Sequence, residues 1–173
     1  MKLQILIPQY NETEEVMRPM LESISTQQGV DLKNDIEVLI ANDGSDVKLP
    51  LDFLGSFSYP IRYIQCEHSG LPGTRAHLFD EATADYVMFC DADDMFMSNL
   101  ALYTILAYAG KGFDALIIDF MEEIIDKKTG ASIFFPHKKD CTFVHGKVYR
   151  RQFLLDNHII WHPDVKCHED SGY

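Results

Sequence analysis

The sequence lacks the features that mark several common classes of protein. Its four cysteines are widely spaced and form no CxxC pair, which excludes a zinc ribbon and a dithiol redox motif. No apolar run approaches the roughly 18 residues of a membrane span, and the run Leu3–Ile7 is too short for a signal-peptide core. We therefore expect a cytoplasmic protein with reduced cysteines and no transmembrane segment.

Basic residues are also scarce. The chain has 15 Lys and Arg against 27 Asp and Glu, which gives a formal net charge of −12. Nucleic acids and anionic membranes are bound through basic surfaces, so neither is expected as a partner. An anionic small molecule would require positive charge from a bound cation or from one of the few arginines.

The composition is that of a folded domain. Of the 173 residues, 46% are hydrophobic and 12% aromatic, which excludes a disordered chain. The sequence contains no internal repeat, no Gly/Ser-rich linker and no long charge run. We expect a single domain over residues 1–173, since this length is typical of one domain.

Short apolar segments alternate with segments of helical periodicity. The predicted strands are Lys2–Ile7, Ile36–Ala41, Ile61–Gln65, Tyr86–Cys90, Phe113–Met121 and Ile133–Phe135. The predicted helices are one N-capped by Thr13 and interrupted by Pro19, one from the turn Ser69–Gly73 through Ala84, Leu100–Ala109, and Lys147–Asn157. This alternation predicts an α/β fold with a mostly parallel, Rossmann-like sheet flanked by helices. Polar turns follow strands one, two and four, at the edge where such sheets bind ligands.

The strongest local motif is an aspartate cluster after the fourth strand, Asp91-Ala92-Asp93-Asp94. Two carboxylates at positions i and i+2 at a strand end can hold one hard divalent cation, which binds phosphate on its open side. The alternative is a structural loop in which Asp94 or Ser98 caps the following helix. The motif alone leaves both interpretations open.

Three further residues are ambiguous when taken singly. Asp43, in Asp-Gly-Ser after the second strand, can accept hydrogen bonds from a base or ribose, or can belong to an ordinary turn. Tyr10 can stack on a planar base or lie on the surface as an isolated aromatic. Arg75 can be a solvated helix charge, or one of the few cations available to an anion site.

Taken together and in order, these motifs resemble a known family. The segments are IPQYN, EVLIANDGSD, SGLPGTRAHLFDEATADYVMFCDADD, GKVYRRQFL and HEDSGY. The series resembles the family 2 glycosyltransferases of the GT-A fold. The resemblance covers essentially the whole chain. It implies a metal-assisted, inverting transfer of a sugar from a nucleotide diphosphate-sugar, such as a UDP-sugar, to a hydroxyl of a carbohydrate or glycoconjugate acceptor.

The resemblance also implies roles for particular residues. Those implied in binding the nucleotide-sugar are Pro8, Tyr10, Asp43, Arg75, Asp91 and Ala92. Asp93, with Asp91, would ligate Mn²⁺ or Mg²⁺ against the diphosphate. Asp170 would be the general base that deprotonates the acceptor.

The resemblance divides the chain into two parts. Residues 1–94 correspond to the nucleotide-sugar-binding part, and residues 95–173 to the start of the acceptor and catalytic part. Because the sequence ends three residues after Asp170, we expect the natural protein to continue. An incomplete acceptor side would expose apolar surface, which makes a homo-oligomer possible.

Three other hypotheses remain open. The chain can be a non-catalytic nucleotide-sugar-binding or oligomerisation module of the same fold. Asp91-Ala92-Asp93 can be the nucleophile loop of a haloacid-dehalogenase-like phosphatase, although that motif usually follows the first strand. The segment Cys167-His168-Glu169-Asp170 can ligate a transition metal such as zinc.

Overall fold

Most strands of the computed structural model belong to one sheet. The structure describes residues 1–159 and residue 161. The sheet contains β1 (Leu3–Gln9), β2 (Ile36–Asp43), β3 (Ile61–Cys66), β4 (Tyr86–Phe89), β5 (Ala115–Ile117) and β8 (Lys147–Arg150). The strands β6 (Phe120–Ile125) and β7 (Ser132–His137) form a separate antiparallel hairpin.

The helices lie between the strands along the chain. They are α1 (Glu14–Ser25), α2 (Leu32–Asp35), α3 (Leu51–Leu54), α4 (Gly70–Glu81), α5 (Ala101–Ala109) and α6 (Arg151–Asp156). Within the described residues, none of them has the length and apolar character needed to cross a bilayer.

The sheet is parallel over its larger part. Its strand order is β3-β2-β1-β4-β8-β5, and the pairs β3–β2, β2–β1 and β1–β4 are parallel. The strands β8 and β5 add two antiparallel pairs on the β4 side. The predicted α/β architecture, with a mainly parallel sheet flanked by helices, is confirmed.

Both faces of the central strands β1, β2 and β4 are buried, which explains why these strands are continuous apolar runs. In β1, Leu3, Ile5 and Ile7 face a cluster that includes residues of α1 and α5. Leu6 points to the opposite face, where it joins Leu78 of α4. Full burial of each such side chain contributes about 1.5–3 kcal/mol, so these contacts fix the strand between two helical layers.

The first helix forms despite its interior proline. Pro19 removes one backbone hydrogen bond, a change that costs about 3 kcal/mol or more in a helix interior. Pro19 is exposed, so the carbonyl left without its helical donor lies on the solvent side. Met17, Met20 and Leu21 on the other face are fully buried, and their packing outweighs this cost. Thr13 occupies the predicted N-cap position without a side-chain capping bond.

The second predicted helix begins earlier and ends earlier than expected. Residues 70–73, predicted as a turn, belong to α4, where Pro72 is tolerated because the first turn needs no amide donors. The helix ends at Glu81 because Gln4 Oε1 accepts hydrogen bonds from the amides of Thr83 and Ala84, at 2.6 and 2.7 Å. A side chain on β1 therefore determines the exit of the chain from α4.

Two predictions in the second half of the chain are wrong in detail. The helix predicted over Lys147–Asn157 is strand β8 up to Arg150, and only Arg151–Asp156 is helical. The strand β8 lies between β4 and β5, where Val148 is fully buried, so sheet pairing overrides the helical pattern. The strand predicted over 113–121 is divided between β5 and β6, which belong to different sheets.

Candidate functional site

A cleft opens where the chain order of the sheet reverses. The strand β1 lies between β2 and β4, and the carboxyl ends of these three strands meet at one edge. In open α/β sheets this switch point is the usual position of a ligand. The ladder between β1 and β4 ends with Leu6 opposite Phe89, two residues before Pro8, which has no amide hydrogen to continue it. The two strands are thus free to separate at the site.

The cleft has a volume of about 300 Å³ and collects most of the predicted residues. Its lining consists of Pro8, Gln9, Tyr10, Glu12, Asp43, His68, Gly70, Leu71, Thr74, Asp91, Ala92 and Asp93. Six residues singled out in the sequence, from three separate segments, are among them. Sequence reasoning missed the other six, which are identified only by the folded geometry.

Asp43 is held by the start of α4. Its side chain is almost fully buried, and its carboxylate accepts hydrogen bonds from the amides of Ser69 and Gly70, at 2.7 and 2.9 Å. Nδ1 of His68 lies 2.9 Å from the same carboxylate. The unpaired amides and the dipole of a helix N-terminus favour a negative charge at this point. Asp43 therefore joins the end of β2 to α4 on the wall of the cleft.

The turn after Asp43 requires its glycine. Gly44 has φ +68°, and a Cβ atom there would lie 2.8 Å from the backbone nitrogen of His68. The side chain of Asn42 supports the turn by accepting a hydrogen bond from the amide of Ser45, at 2.9 Å. The motif thus forms a bend in the chain, and Asp43 at its start lines the cleft.

Tyr10 and His68 form an aromatic pair at the mouth of the cleft. Their ring centroids are 4.7 Å apart and their planes are inclined by 31°. Tyr10 is half exposed. The free ring surface at this position is suited to contact with a planar group such as a nucleobase.

Asp91 is held by two donors from distant parts of the chain. Arg75 Nη2 lies 2.9 Å from Oδ1, and His145 Nε2 lies 3.0 Å from Oδ2. Burial alone would raise the pKa of Asp91, but the hydrogen bond from His145 and the charge of Arg75 outweigh it, and the pKa is lowered. The carboxylate is therefore anionic at neutral pH.

Arg75 lies behind the cleft rather than in its lining. Its side chain is fully buried, and its guanidinium reaches the site through Asp91. Because a buried charge is stable only when it is paired, the Arg75–Asp91 contact is a structural element of the site.

Asp94 closes the aspartate loop. Its Oδ2 accepts a hydrogen bond from the amide of Asp91 at 2.9 Å. Burial raises the pKa of Asp94, and the nearby charges of Asp91 and Asp93 raise it further. Asp94 thus stabilises its own turn, whereas α5 begins later, at Ala101, with Leu100 at its N-cap position.

Asp93 is the accessible carboxylate of the loop. It is exposed at the cleft and accepts no hydrogen bond within the part of the chain that the structure describes. The described residues contain no group of three or more His, Cys, Asp or Glu arranged to hold a metal. Mg²⁺ in nucleotide sites is held by one or two carboxylates together with waters and substrate phosphates. Asp93 and Asp91 would supply the two carboxylates that such a site needs.

The last of the predicted site residues is Asp170. Asp170 and the segment considered for zinc lie outside the described residues.

Trp161 is described, and its ring packs against Phe79 and Phe89 at centroid distances of 5.7 and 4.4 Å. Trp161 is therefore a packing anchor for the face of the sheet that carries α4.

Solved structures share this architecture. The Staphylococcus aureus TarS fragment 1–349 in complex with UDP superposes with a TM-score of 0.78 at 24% identity, over 98% of this chain and 53% of that one. A Pyrobaculum calidifontis mannosyltransferase in complex with GDP-Man and Mn²⁺ superposes with a TM-score of 0.69 at 15% identity, over 95% of this chain and 48% of that one. The fold is that of the GT-A glycosyltransferases, as the resemblance implied.

The sequence comparisons specify the family within that fold. The profile described as "Glycosyl transferase family 2" matches residues 4–154, and the chain belongs to this family. The Streptococcus pneumoniae glycosyltransferase GlyA is 34% identical over 96 residues, covering 54% of this chain and 13% of GlyA. The poly(ribitol-phosphate) β-N-acetylglucosaminyltransferase TarS of S. aureus is 21% identical over 183 residues, covering 99% of this chain and 31% of TarS. The chain thus spans less than a third of the length of these two relatives.

Proposed function

We propose that this protein transfers a sugar, with inversion, from a UDP-sugar to a hydroxyl of a carbohydrate or glycoconjugate acceptor. The observation that supports this most is the cleft at the switch point. It brings together Pro8, Tyr10 and Asp43 on one side and the aspartate loop on the other. The TarS fragment of the same fold has been solved with UDP and with UDP-GlcNAc.

The base and ribose would occupy the side of the cleft formed by β1 and β2. Tyr10 offers a half-exposed ring for stacking, and Pro8 borders it. In this proposal Asp43 binds the base in exchange for one of its present contacts, the Ser69 hydroxyl at 3.2 Å or Nδ1 of His68 at 2.9 Å, while the amides of Ser69 and Gly70 continue to hold the carboxylate. Asp91 and Ala92 border the ribose, and Arg75 acts on the nucleotide through Asp91.

The diphosphate would lie beside Asp93. Glu12, Asp43, Asp91 and Asp93 all line the cleft, and together they would repel an anionic diphosphate. A bound Mn²⁺ or Mg²⁺ would reverse the local sign of charge and stabilise the departing diphosphate. In this proposal Asp93 ligates the cation through its accessible carboxylate, with Asp91 as the second carboxylate.

The acceptor half of the reaction is assigned to residues 95–173 together with any segments that follow. Asp170 takes the proton of the acceptor hydroxyl as its oxygen forms a bond to the anomeric carbon. The bond from that carbon to the diphosphate breaks on the opposite face, so the configuration inverts. A positioned general base contributes about 10²–10⁴ in rate.

Donor turnover tests this proposal directly. We would follow release of UDP from a panel of UDP-sugars with Mn²⁺, in the presence of water or simple sugar acceptors. Asp170→Asn is expected to reduce turnover by about 10²-fold or more with unchanged UDP affinity, because only the base is lost. Asp52→Asn, at an exposed position of α3 outside the lining of the cleft, is the control and should behave as the unmodified protein.

The metal assignment has its own pair of variants. Asp93→Asn should abolish the Mn²⁺-dependent part of UDP binding, and Asp80→Asn, an exposed residue on α4, should not change it.

Full turnover by Asp170→Asn would refute the base assignment. UDP binding without any turnover by the unmodified protein would instead favour a non-catalytic module.

A further inference from the structure

We infer that His145 is a positioning residue of the proposed donor site, holding the Asp91 carboxylate in the orientation that the nucleotide-sugar and cation require. This inference rests on the proposed function. His145 precedes β8 and is 54 positions from Asp91 in sequence, yet its Nε2 lies 3.0 Å from Oδ2 of Asp91. The same nitrogen is 3.7 Å from Oδ2 of Asp94.

The two donors to Asp91 act on different oxygens. Arg75 holds Oδ1 at 2.9 Å and His145 holds Oδ2 at 3.0 Å. One donor alone would leave the carboxylate free to rotate about its Cβ–Cγ bond, whereas two donors fix its plane. Hydrogen bonds to a charged group are also stronger than neutral ones, so the fixed orientation is well populated.

The imidazole ring is itself held by two aromatic side chains and by the backbone that follows it. Phe120 of β6 and Phe143 lie against it, with centroid distances of 5.7 and 6.3 Å. The following residue, Gly146, has φ +66°, and its carbonyl accepts a hydrogen bond from the amide of Ile118 at 2.7 Å. The strands β5, β6 and β8 therefore determine where the ring lies.

His145 is also placed to act without contacting the substrate. Its side chain is about one-fifth exposed, and it does not belong to the lining of the cleft. Its effect on the donor would pass through Asp91, as in sites where a second residue orients a ligand. Loss of such a supporting residue typically costs about 10–100-fold in metal affinity or activity.

The amide variants of His145 provide a matched test. Glutamine can place its amide nitrogen near the position of Nε2, whereas the shorter asparagine reaches only about as far as Nδ1. We expect His145→Gln to bind UDP with Mn²⁺ within about threefold of the unmodified protein, and His145→Asn to bind about 10–100-fold more weakly. His137→Asn, which alters the same aromatic cluster without contacting Asp91, should bind normally.

A double-mutant cycle separates positioning from a general structural effect. In an Asp91→Asn background, His145→Asn should cause no further loss of UDP affinity, because its partner is already altered. Equal affinities of the Gln and Asn variants, additive losses in the cycle, or an equal loss in His137→Asn would overturn the inference. If the unmodified protein bound no nucleoside diphosphate, the proposed function itself would fail, which is a different result.

Discussion

Asp91 and Asp93 provide an internally controlled prediction about stability. They are two positions apart in one loop, yet Asp91 pairs with the fully buried Arg75 and Asp93 is exposed. Replacing each by asparagine removes one negative charge with little change of shape. The two variants should therefore differ through the partners of each carboxylate and not through loop geometry.

The size of the difference follows from the contacts. Breaking a buried ion pair by removing one partner costs about 3–5 kcal/mol. The Asp91 side chain is 28% exposed, and asparagine keeps one oxygen acceptor, so we expect about 2–3 kcal/mol for Asp91→Asn. For a chain of this size that corresponds to a fall in Tm of about 5–10 °C. Asp93→Asn should change stability by at most about 0.5 kcal/mol.

Urea unfolding followed by tryptophan fluorescence measures both values. Trp161 is the only tryptophan and packs against Phe79 and Phe89, so its emission reports on the core. Far-UV circular dichroism would verify that both variants start from the same fold. Equal stability losses in the two variants would refute the argument that Asp91 compensates a buried charge.

Further predictions concern the turn after β2, the titration of Asp94 and the anchor Trp161. Gly44→Ala should lower the free energy of unfolding in urea by about 2–3 kcal/mol, because its φ is strained for alanine and the added Cβ would approach the His68 backbone closely. Gly112→Ala has a similar φ of +73° but open space around the added Cβ, so it should cost only about 1 kcal/mol. Burial raises the pKa of Asp94 in the folded state. The stability associated with protonated Asp94 is therefore fully present below the pKa of the unfolded chain, about 3.9, and is lost as the pH rises through the pKa of the folded state. The stability of Asp94→Asn relative to the unmodified protein should therefore increase as the pH rises above about 4, and a difference in urea midpoint that does not depend on pH would count against this. Trp161→Ala should cost about 2–4 kcal/mol by thermal unfolding, and an unchanged Tm would show that the ring does not anchor this face.

Much of the sheet could be predicted because each of these strands is recognisable from its own local sequence. The strands β1, β2 and β4 are apolar runs that end in polar turns, and β3 is bounded in the same way. The helix boundaries were less predictable. The end of α4 depends on Gln4, which is distant in sequence and becomes a capping group only after folding.

In the candidate site too, residues in local motifs could be predicted, whereas residues that depend on long-range contacts could not. The position of Asp43 and Asp93 at the cleft could be predicted because each belongs to a polar segment at the carboxyl end of a strand. His68 and His145 were missed because their roles arise from contacts across 25 and 54 positions. The location of Arg75 behind Asp91, rather than in the cleft, likewise depends on burial that no local pattern encodes.

Calorimetric titration with UDP, with and without Mn²⁺, tests the central claim most directly. We predict saturable binding to one site in the presence of Mn²⁺, clearly weaker binding without it, and loss of the Mn²⁺ dependence in Asp93→Asn. Absence of heat with UDP, GDP or any other nucleoside diphosphate in the presence of Mn²⁺ would contradict the assignment of this cleft as a nucleotide-sugar site.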